Sequence, residues 1–206
     1  MAGLFISFEG GDGAGKSTQI QRLAAWLREQ VSEVVLTREP GGTELGVVLR
    51  NLVLHGDDID DRTEALLYAA DRAHHVGTVI RPALKRGAVV LTDRYLDSSI
   101  AYQGGGRGLT PERIEDLSLW AVQGLLPHLT VLLDLDPVHL PARLTDAPDR
   151  LERAGAPFHA RTRAAFLERA AQGAERFLVV DAATAIDDIA SQIRERVRPL
   201  LAQVEQ

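Results

Sequence analysis

Cysteine is absent from the 206 residues, which excludes disulfides and thiolate metal sites. Long apolar runs are missing as well, since none approaches the roughly 20 residues that cross a bilayer. The first residues, MAGLFISFEGGD, lack the basic flank and the cleavage site of a secretory signal. We therefore expect a cytoplasmic chain that does not enter a membrane.

A surplus of positive charge is also missing, because the formal net charge is −6. Affinity for nucleic acid or for an anionic membrane comes from clustered surplus cations, so neither partner is expected. Lysine is rare too: of 23 basic residues, only Lys16 and Lys85 are lysines. Any anion must be bound locally, and Lys16 stands out against an arginine-rich background.

Five short apolar runs alternate with longer segments of helical period. Unbroken apolar runs are typical of strands that are covered on both faces of a parallel sheet. The helical segments have apolar faces, for example Leu45, Val48, Leu49 and Leu52 on the second. The pattern predicts one α/β domain over residues 1–206 with a doubly wound parallel sheet. The predicted strands are residues 4–9, 33–37, 88–92, 129–135 and 176–181.

The segment GGDGAGKS, residues 10–17, fits the pattern GxxxxGK[ST] of phosphate-binding loops. It follows a predicted strand and precedes an amphipathic helix, as that loop requires, although a glycine-rich turn could match by accident. Glycines let backbone amides converge on phosphate oxygens at the positive end of the helix. We expect Lys16 to bridge the β and γ phosphates of ATP and the Ser17 hydroxyl to ligate Mg²⁺. The predicted nucleotide-binding residues of this loop are Gly10, Gly11, Asp12, Gly13, Ala14, Gly15, Lys16, Ser17 and Thr18.

A carboxylate inside the loop, Asp12, is unexpected beside a polyphosphate because like charges repel. It must face something else, and a hydroxyl of a second substrate suits a short acid at the rim of the loop. This placement points to phosphoryl transfer between two bound small molecules.

Charged residues follow two further predicted strands, in TREPGGT (37–43) and LTDRYLDSSIAYQGGGRG (91–108). Arg38, Asp93 and Arg94 therefore lie at carboxyl ends of strands, where open α/β sheets bind ligands. Arginine pairs bidentately with phosphate, so Arg38 and Arg94 are candidate clamps for an acceptor phosphate. Asp93 occupies the place of a Walker B carboxylate and is a candidate ligand for Mg²⁺ or its water shell. Helix capping or surface ion pairing is the alternative interpretation for each of the three.

A catalytic-loop pattern such as HRDxxxxN is absent from the sequence. An acceptor phosphate needs none, because a phosphate monoester is largely dianionic near neutral pH. Two polyanions must instead be held together by positive charge. The arginine-rich segment 143–163 is either a solvated loop and helix face or a lid that supplies this charge.

The loop EGGDGAGKST is followed, in order, by TREPGGT, LLYAADRAHH, DRYLDSSIAYQGGGRG and DRLER. In these motifs and their spacing the chain resembles the bacterial thymidylate kinases over its full length. The resemblance implies a P-loop nucleoside-monophosphate-kinase fold with a five-stranded parallel sheet, flanking helices and a short lid at about 143–157. It also implies transfer of the γ-phosphoryl group of ATP to dTMP, giving dTDP for dTTP synthesis, with Mg²⁺ and as a homodimer. Apolar faces within 45–54 and 65–76 are candidate surfaces for pairing.

Matching positions extend the resemblance to the reacting groups. Asp12 would hold the 3′-hydroxyl of the sugar, and Arg38 and Arg94 would grip the phosphate of dTMP. Catalysis would involve Lys16 and Asp93 together with Arg94.

The nucleoside end of the acceptor has matching positions as well. Tyr68 would stack on thymine and Arg72 would hydrogen-bond the base, although without the resemblance Tyr68 reads as core and Arg72 as a solvated helix position. Ser99 and Gln103 would lie near the base edge. Tyr102 would crowd the 2′ position of the sugar and so favour deoxyribose.

The lid departs from the pattern of the family. Gly13 and Ala14 leave the phosphate loop without an arginine, and family members of that kind supply one from the lid. Here the residues before DRLE are the short, acidic TDAP, where many relatives have further arginine and glycine. Arg150, in the matched motif, is the first candidate to reach the transferring phosphoryl group. Arg153 is the second, and Arg143 is assigned to the nucleotide base.

Two other functions remain open at this point. Another small-molecule kinase on the same scaffold would act on a different monophosphate or on an alcohol. A nucleotide-dependent switch would ordinarily need a guanine-reading NKxD segment, and the sequence has none. The six histidines predict no metal site, because the adjacent His74 and His75 point to different helix faces and the others stand alone.

Overall fold

A five-stranded parallel sheet forms the centre of the chain in the computed structural model, which describes residues 3–142 and 150–204. Each predicted strand is present within one residue of its expected bounds. The strand order is β2-β3-β1-β4-β5, so the chain crosses to both sides of β1. The strands are β1 (Leu4–Glu9), β2 (Val34–Arg38), β3 (Val89–Asp93), β4 (Leu129–Asp134) and β5 (Phe177–Asp181).

Helices cover both faces of this sheet, as the alternating pattern predicts. A π-helical stretch at Val76–Ile80 joins the third helix to the fourth, and a second at Ile100–Gly106 continues the fifth. Short 3₁₀ segments lie at Pro137–Ala142 and Glu152–Ala154. The α-helices are α1 (Lys16–Leu27), α2 (Glu44–His55), α3 (Asp61–His75), α4 (Arg81–Lys85), α5 (Leu96–Ser99), α6 (Pro111–Val122), α7 (Ala156–Gln172) and α8 (Ile186–Val204).

The core follows the apolar faces of the outer helices. Ile20, Leu23 and Leu27 of α1 pack with Ile189 and Ile193 of α8 in one buried cluster with the inner strands. Burial of each such side chain contributes about 1.5–3 kcal/mol before entropy is counted. No helix within 3–142 and 150–204 is long and apolar enough to cross a bilayer.

The second helix differs, because its apolar residues do not all face the core. Leu49 is buried, but Leu45, Val48 and Leu52 are 46–56% exposed. The α2 helix packs mainly on α3, and Val53 and Leu54 are buried together with Leu49, so the exposed apolar side chains lie on a different face of the helix. These three side chains form an exposed apolar row on the surface of α2.

Only part of the predicted lid is described. Arg143 and the rest of 143–149 lie outside the described residues. The described part begins at Arg150, continues through the 3₁₀ turn Glu152–Ala154 and enters α7 at Ala156.

Candidate active site

The phosphate loop connects the carboxyl end of β1 to the start of α1. Gly15 has φ +92°, a left-handed conformation that glycine adopts readily, and the helix begins at the next residue. Gly10 has φ +127°, and a Cβ there would lie 2.3 Å from the carbonyl oxygen of Leu133. Glycine is thus required at this position for the loop to pass over β4.

Lys16 lies under the loop, with its Nζ donating to the carbonyl oxygens of Gly10 (3.2 Å) and Gly11 (2.9 Å). Burial lowers the pKa of its ammonium group, Arg94 adds to this effect, and nearby carboxylates oppose it. Carbonyl groups therefore hold the ammonium at the place where a phosphate loop lysine meets phosphate oxygens.

Ser17 and Asp93 meet beside the loop, as the sequence predicts. The Ser17 hydroxyl donates to Oδ2 of Asp93 at 3.2 Å. The second oxygen, Oδ1, is buried and has no hydrogen-bond partner among the described residues. A hydroxyl and an unpaired carboxylate oxygen are ligands that suit Mg²⁺, which also keeps several waters and phosphate oxygens. The residues fit the metal, although the described part of the chain has no cluster of three metal-binding side chains.

Arg94 connects the phosphate loop to the segment that follows β3. Its Nη1 donates to the Gly10 carbonyl (3.0 Å) and to Ser98 (3.2 Å), and its Nη2 donates to Asp12 (2.5 Å) and Tyr102 (3.1 Å). The guanidinium carbon lies 4.9 Å from the centre of the Tyr102 ring. Arg94 is therefore held rigidly at the strand end, as phosphate recognition requires.

Asp12 does face away from the loop, because its carboxylate is bound to Arg94 and accepts from the Tyr102 hydroxyl at 3.3 Å. Burial alone would raise the pKa of Asp12, but the charges of Arg94 and Lys16 outweigh it and hold the pKa at about 2. The carboxylate is ionised at neutral pH and accepts hydrogen bonds only.

A cavity with about 490 Å³ of empty space, part of which is open to solvent, lies next to this group. It reaches from the strand ends toward α2, α3 and the described end of the lid. Seven of the eight residues predicted to bind the acceptor border it: Asp12, Tyr68, Arg72, Arg94, Ser99, Tyr102 and Gln103.

Arg38, the eighth, borders a second and more open cavity together with the phosphate loop. That cavity also contacts Lys16, Ser17 and Asp93. Four residues border both cavities and mark the place where they join: Asp12, Glu39, Arg50 and Arg94.

Arg72 is buried rather than solvated, so the interpretation from its helix position alone is wrong. Its Nε donates to Glu39 (2.7 Å), its Nη1 to Ser99 (3.1 Å) and its Nη2 to the Tyr95 carbonyl (3.1 Å). One N–H on each terminal nitrogen is left over, because a guanidinium has five. These are the donors that Arg72 offers to the cavity.

Glu64, a fully buried residue of α3, organises the far end of this cavity. It accepts from Gln103 (2.9 Å), binds Arg107 and forms an ion pair with Arg150 at 2.6 Å. Arg150 also donates from Nε to the Val53 carbonyl at 2.8 Å. The structure thus places Arg150 at the far end of this cavity, which its neighbour Leu151 borders.

Sequence reasoning missed several residues that border the cavity beside Asp12, Tyr102 and Gln103, here named the acceptor cavity. Glu39 and Pro40 lie within TREPGGT, so the quoted motif contained the signal. Arg50 donates to the Pro40 carbonyl at 3.1 Å, but it lies in α2, where no local pattern distinguishes it from a surface arginine. Ser98 lies within DRYLDSSIAYQGGGRG beside the predicted Ser99, so that motif contained its signal as well.

The glycine-rich loop, the parallel sheet and the two joined cavities define a P-loop kinase of the nucleoside-monophosphate type. Residues 8–193 match the protein-family model described as Thymidylate kinase. The chain is 61% identical over 206 residues to thymidylate kinase of Clavibacter michiganensis subsp. michiganensis, with 98% of each chain covered. It is 57% identical to thymidylate kinase of Bifidobacterium longum subsp. infantis, covering 98% of this chain and 88% of that one.

A solved structure agrees with these relatives. The crystal structure of thymidylate kinase from Ehrlichia chaffeensis matches with a TM-score of 0.79 and 32% identity, over 96% of this chain and 99% of that one. The chain belongs to the thymidylate kinase family.

Proposed function

We propose that the acceptor cavity binds dTMP and that the phosphate loop binds ATP with Mg²⁺, within one domain formed by residues 1–206. As a member of the thymidylate kinase family, the chain is an enzyme that phosphorylates dTMP to dTDP with ATP as donor. The observation that carries the site assignment is the junction of the two cavities at Asp12 and Arg94.

The hydrogen-bond pattern at the far end of the acceptor cavity suits a thymine base. Arg72 offers N–H donors, which match the O4 carbonyl of thymine. Gln103 uses its amide nitrogen on Glu64, so its carbonyl oxygen is the group that accepts the N3–H. Cytosine presents the reverse pattern at these two atoms and would leave both protein groups without partners. Tyr68 borders the same space and supplies a ring for stacking.

Arginines from three elements surround the place proposed for the acceptor phosphate. Arg94 is held at the carboxyl end of β3, Arg38 ends β2, and Arg50 comes from α2. Bidentate guanidinium groups suit a phosphate dianion. Asp12 accepts a hydrogen bond from the 3′-hydroxyl of the sugar. Tyr102 lies on the side where a ribose would carry its 2′-hydroxyl.

Transfer then depends on position and charge more than on proton chemistry. The acceptor phosphate is its own nucleophile, so no side chain has to remove a proton. Lys16 stabilises charge on the transferring group, and Ser17 and Asp93 hold Mg²⁺. The metal neutralises developing phosphate charge when it is bound. Arg150 is the first candidate to supply positive charge at the transferring phosphoryl group, for which it would have to leave Glu64, and Arg153 is the second.

The exposed apolar residues support a homodimer, and we propose that the enzyme is cytoplasmic. Leu45, Val48 and Leu52 of α2 lie on the surface with Leu66 of α3, which is 57% exposed. Contiguous apolar surface of this kind marks protein contact sites. We propose that two copies pair through α2 and α3.

An ADP-release assay with ATP and Mg²⁺ tests the reaction. The acceptors are dTMP, dUMP, the ribonucleotide of thymine, CMP, AMP and no acceptor. We expect dTMP to exceed its ribose analogue and CMP by a wide margin, and Lys16→Met to abolish release with every acceptor. Equal release with and without an acceptor would identify a hydrolase or switch and reject the proposal. A higher rate with CMP or AMP would reject the assignment of the base pocket.

A further inference from the structure

His75 is completely buried at the end of α3, one helical turn after Arg72. Its Nε2 lies 2.6 Å from the hydroxyl of Thr37, and its Nδ1 lies 2.8 Å from Oε1 of Glu39. A side chain on Gly42 would collide with the ring, since a Cβ there would lie 2.6 Å from Nε2. The ring is therefore fixed from three directions, although His75 is not among the described residues that border the acceptor cavity.

Glu39 connects the buried ring of His75 to Arg72, which borders the cavity. One carboxylate oxygen contacts His75, and the other accepts the Nε hydrogen of Arg72 at 2.7 Å. Because an ionised carboxylate only accepts, Nδ1 of His75 must carry the hydrogen of their bond. In the neutral ring, Nε2 then accepts the hydroxyl hydrogen of Thr37. With the hydrogen on Nδ1, Thr37 donates to His75, His75 donates to Glu39, and Glu39 accepts from Arg72.

Arg72 depends on Glu39 for the angle of its guanidinium plane. Its bonds to Ser99 and to the Tyr95 carbonyl hold the terminal nitrogens, and the bond to Glu39 holds Nε. A planar fork held at Nε and at both ends has one orientation, and this orientation aims the two remaining N–H groups. A rotation of the Glu39 carboxylate would turn those donors away from the base.

We propose that His75 is a positioning residue for the acceptor base, which acts through Glu39 on Arg72. The inference rests on the proposed function, because it assigns Arg72 to base recognition. His75 does not touch the substrate. It supplies the hydrogen bond that stops the Glu39 carboxylate from rotating, and this bond is buried and away from competing water.

Two variants test the inference, because each has a polar group near the position of only one of the two ring nitrogens of His75. In His75→Asn the amide nitrogen occupies roughly the place of Nδ1 and still donates to Glu39. In His75→Gln the polar group lies closer to the place of Nε2, toward Thr37. We expect His75→Gln and His75→Ala to raise the KM for dTMP about tenfold, as the loss of one hydrogen bond to a charged group predicts. We expect His75→Asn to stay within about twofold of the parent.

Three further readouts separate positioning from general stability. The kcat and the KM for ATP should change little, whereas the preference for dTMP over dCMP should fall with the KM effect. His74→Ala is the matched control, because His74 is adjacent and exposed. Thr37→Val removes only the outer hydrogen bond and should show a smaller rise in KM, which keeps the test open if the His75 variants do not fold.

The outcomes distinguish this inference from the proposed function. If the parent enzyme does not phosphorylate dTMP, the proposed function fails. If the parent is active but the His75 variants lower only the melting temperature and keep the parent KM and base preference, the positioning role fails. Failure of His75→Asn to rescue the KM also rejects it, because the role is assigned to the Nδ1 hydrogen bond.

Discussion

The guanidinium of Arg94 and the carboxylate of Asp12 form an ion pair with a 2.5 Å contact at the junction of the two cavities. Tyr102 bonds to both partners, so the three side chains form a closed group. The pair lets a carboxylate lie next to a site for phosphates without facing them. It also joins the phosphate loop to the segment after β3.

Replacing Asp12 by Ala should lower kcat/KM for dTMP about 100-fold, since it removes two charged hydrogen bonds of the pocket. The KM for ATP should change less, because the loop amides and Lys16 remain. Steady-state kinetics with each substrate varied in turn measures both effects. Equal losses for both substrates would mean that Asp12 supports the loop rather than the acceptor.

Glu9 should make the folded protein less stable as the pH rises. It is fully buried, and burial, followed by the charge of Asp97, raises its pKa to about 8. An unfolded glutamate ionises near pH 4.5, so the folded state binds the extra proton between these values and its stability falls as the pH rises through them. Glu9→Gln should flatten this fall.

Urea unfolding at several values between pH 5 and pH 8.5, about the span set by these two pKa values, measures the Glu9 effect. Glu112→Gln, at an exposed position, is the control and should follow the parent. Parallel curves for the parent and Glu9→Gln would show that Glu9 does not bind the extra proton.

The two lid arginines should differ in their effect on turnover. Replacing Arg150 by Ala should lower kcat by about 10³, the range for an arginine that stabilises charge in phosphoryl transfer. Replacing Arg153 by Ala should have a smaller effect. Single-turnover kinetics at saturating substrates compares them. An unchanged kcat for Arg150→Ala would leave that residue a structural role, through its ion pair with Glu64 and its hydrogen bond to the Val53 carbonyl.

The exposed row on α2 predicts a change of assembly on charge insertion. The double variant Val48→Glu with Leu52→Glu should be monomeric at micromolar concentrations where the parent is dimeric. A charge buried in an apolar interface costs several kcal/mol. Light scattering after size exclusion measures the mass. Val138→Glu, at a residue that is 73% exposed elsewhere, should remain dimeric. A monomeric parent would contradict the proposed pairing.

Local patterns explain what the sequence could predict. The strands were predicted to within one residue because buried parallel strands are unbroken apolar runs, of which LFISFE is an example. The phosphate loop was recognised from the spacing of its glycines, lysine and serine. Arg38 and Asp93 were found because ligands bind at the carboxyl ends of strands in open α/β sheets. Each of these signals is contained within a dozen or so neighbouring residues.

Side-chain pairing across the chain could not be predicted in this way. Glu64 binds Arg107 and Arg150, which follow it by 43 and 86 residues, and its own surroundings look like an ordinary helix. Nothing near His75 indicates that its ring would meet Thr37 and Glu39 after β2. Such contacts follow from the order of strands and helices, so they emerge only when the fold is known.

The backbone of Arg94 has φ 69°, in the left-handed region, and the only other described non-glycine residue there is Gln123. Alanine at this position would keep that strain, whereas glycine would relieve roughly 1 kcal/mol of it. Comparing Arg94→Ala with Arg94→Gly therefore separates the conformational penalty from the loss of the guanidinium. The folded protein would thus be more stable in its backbone at position 94 if that residue were glycine. The arginine there exchanges some thermodynamic stability for a cation whose direction is set before any substrate arrives.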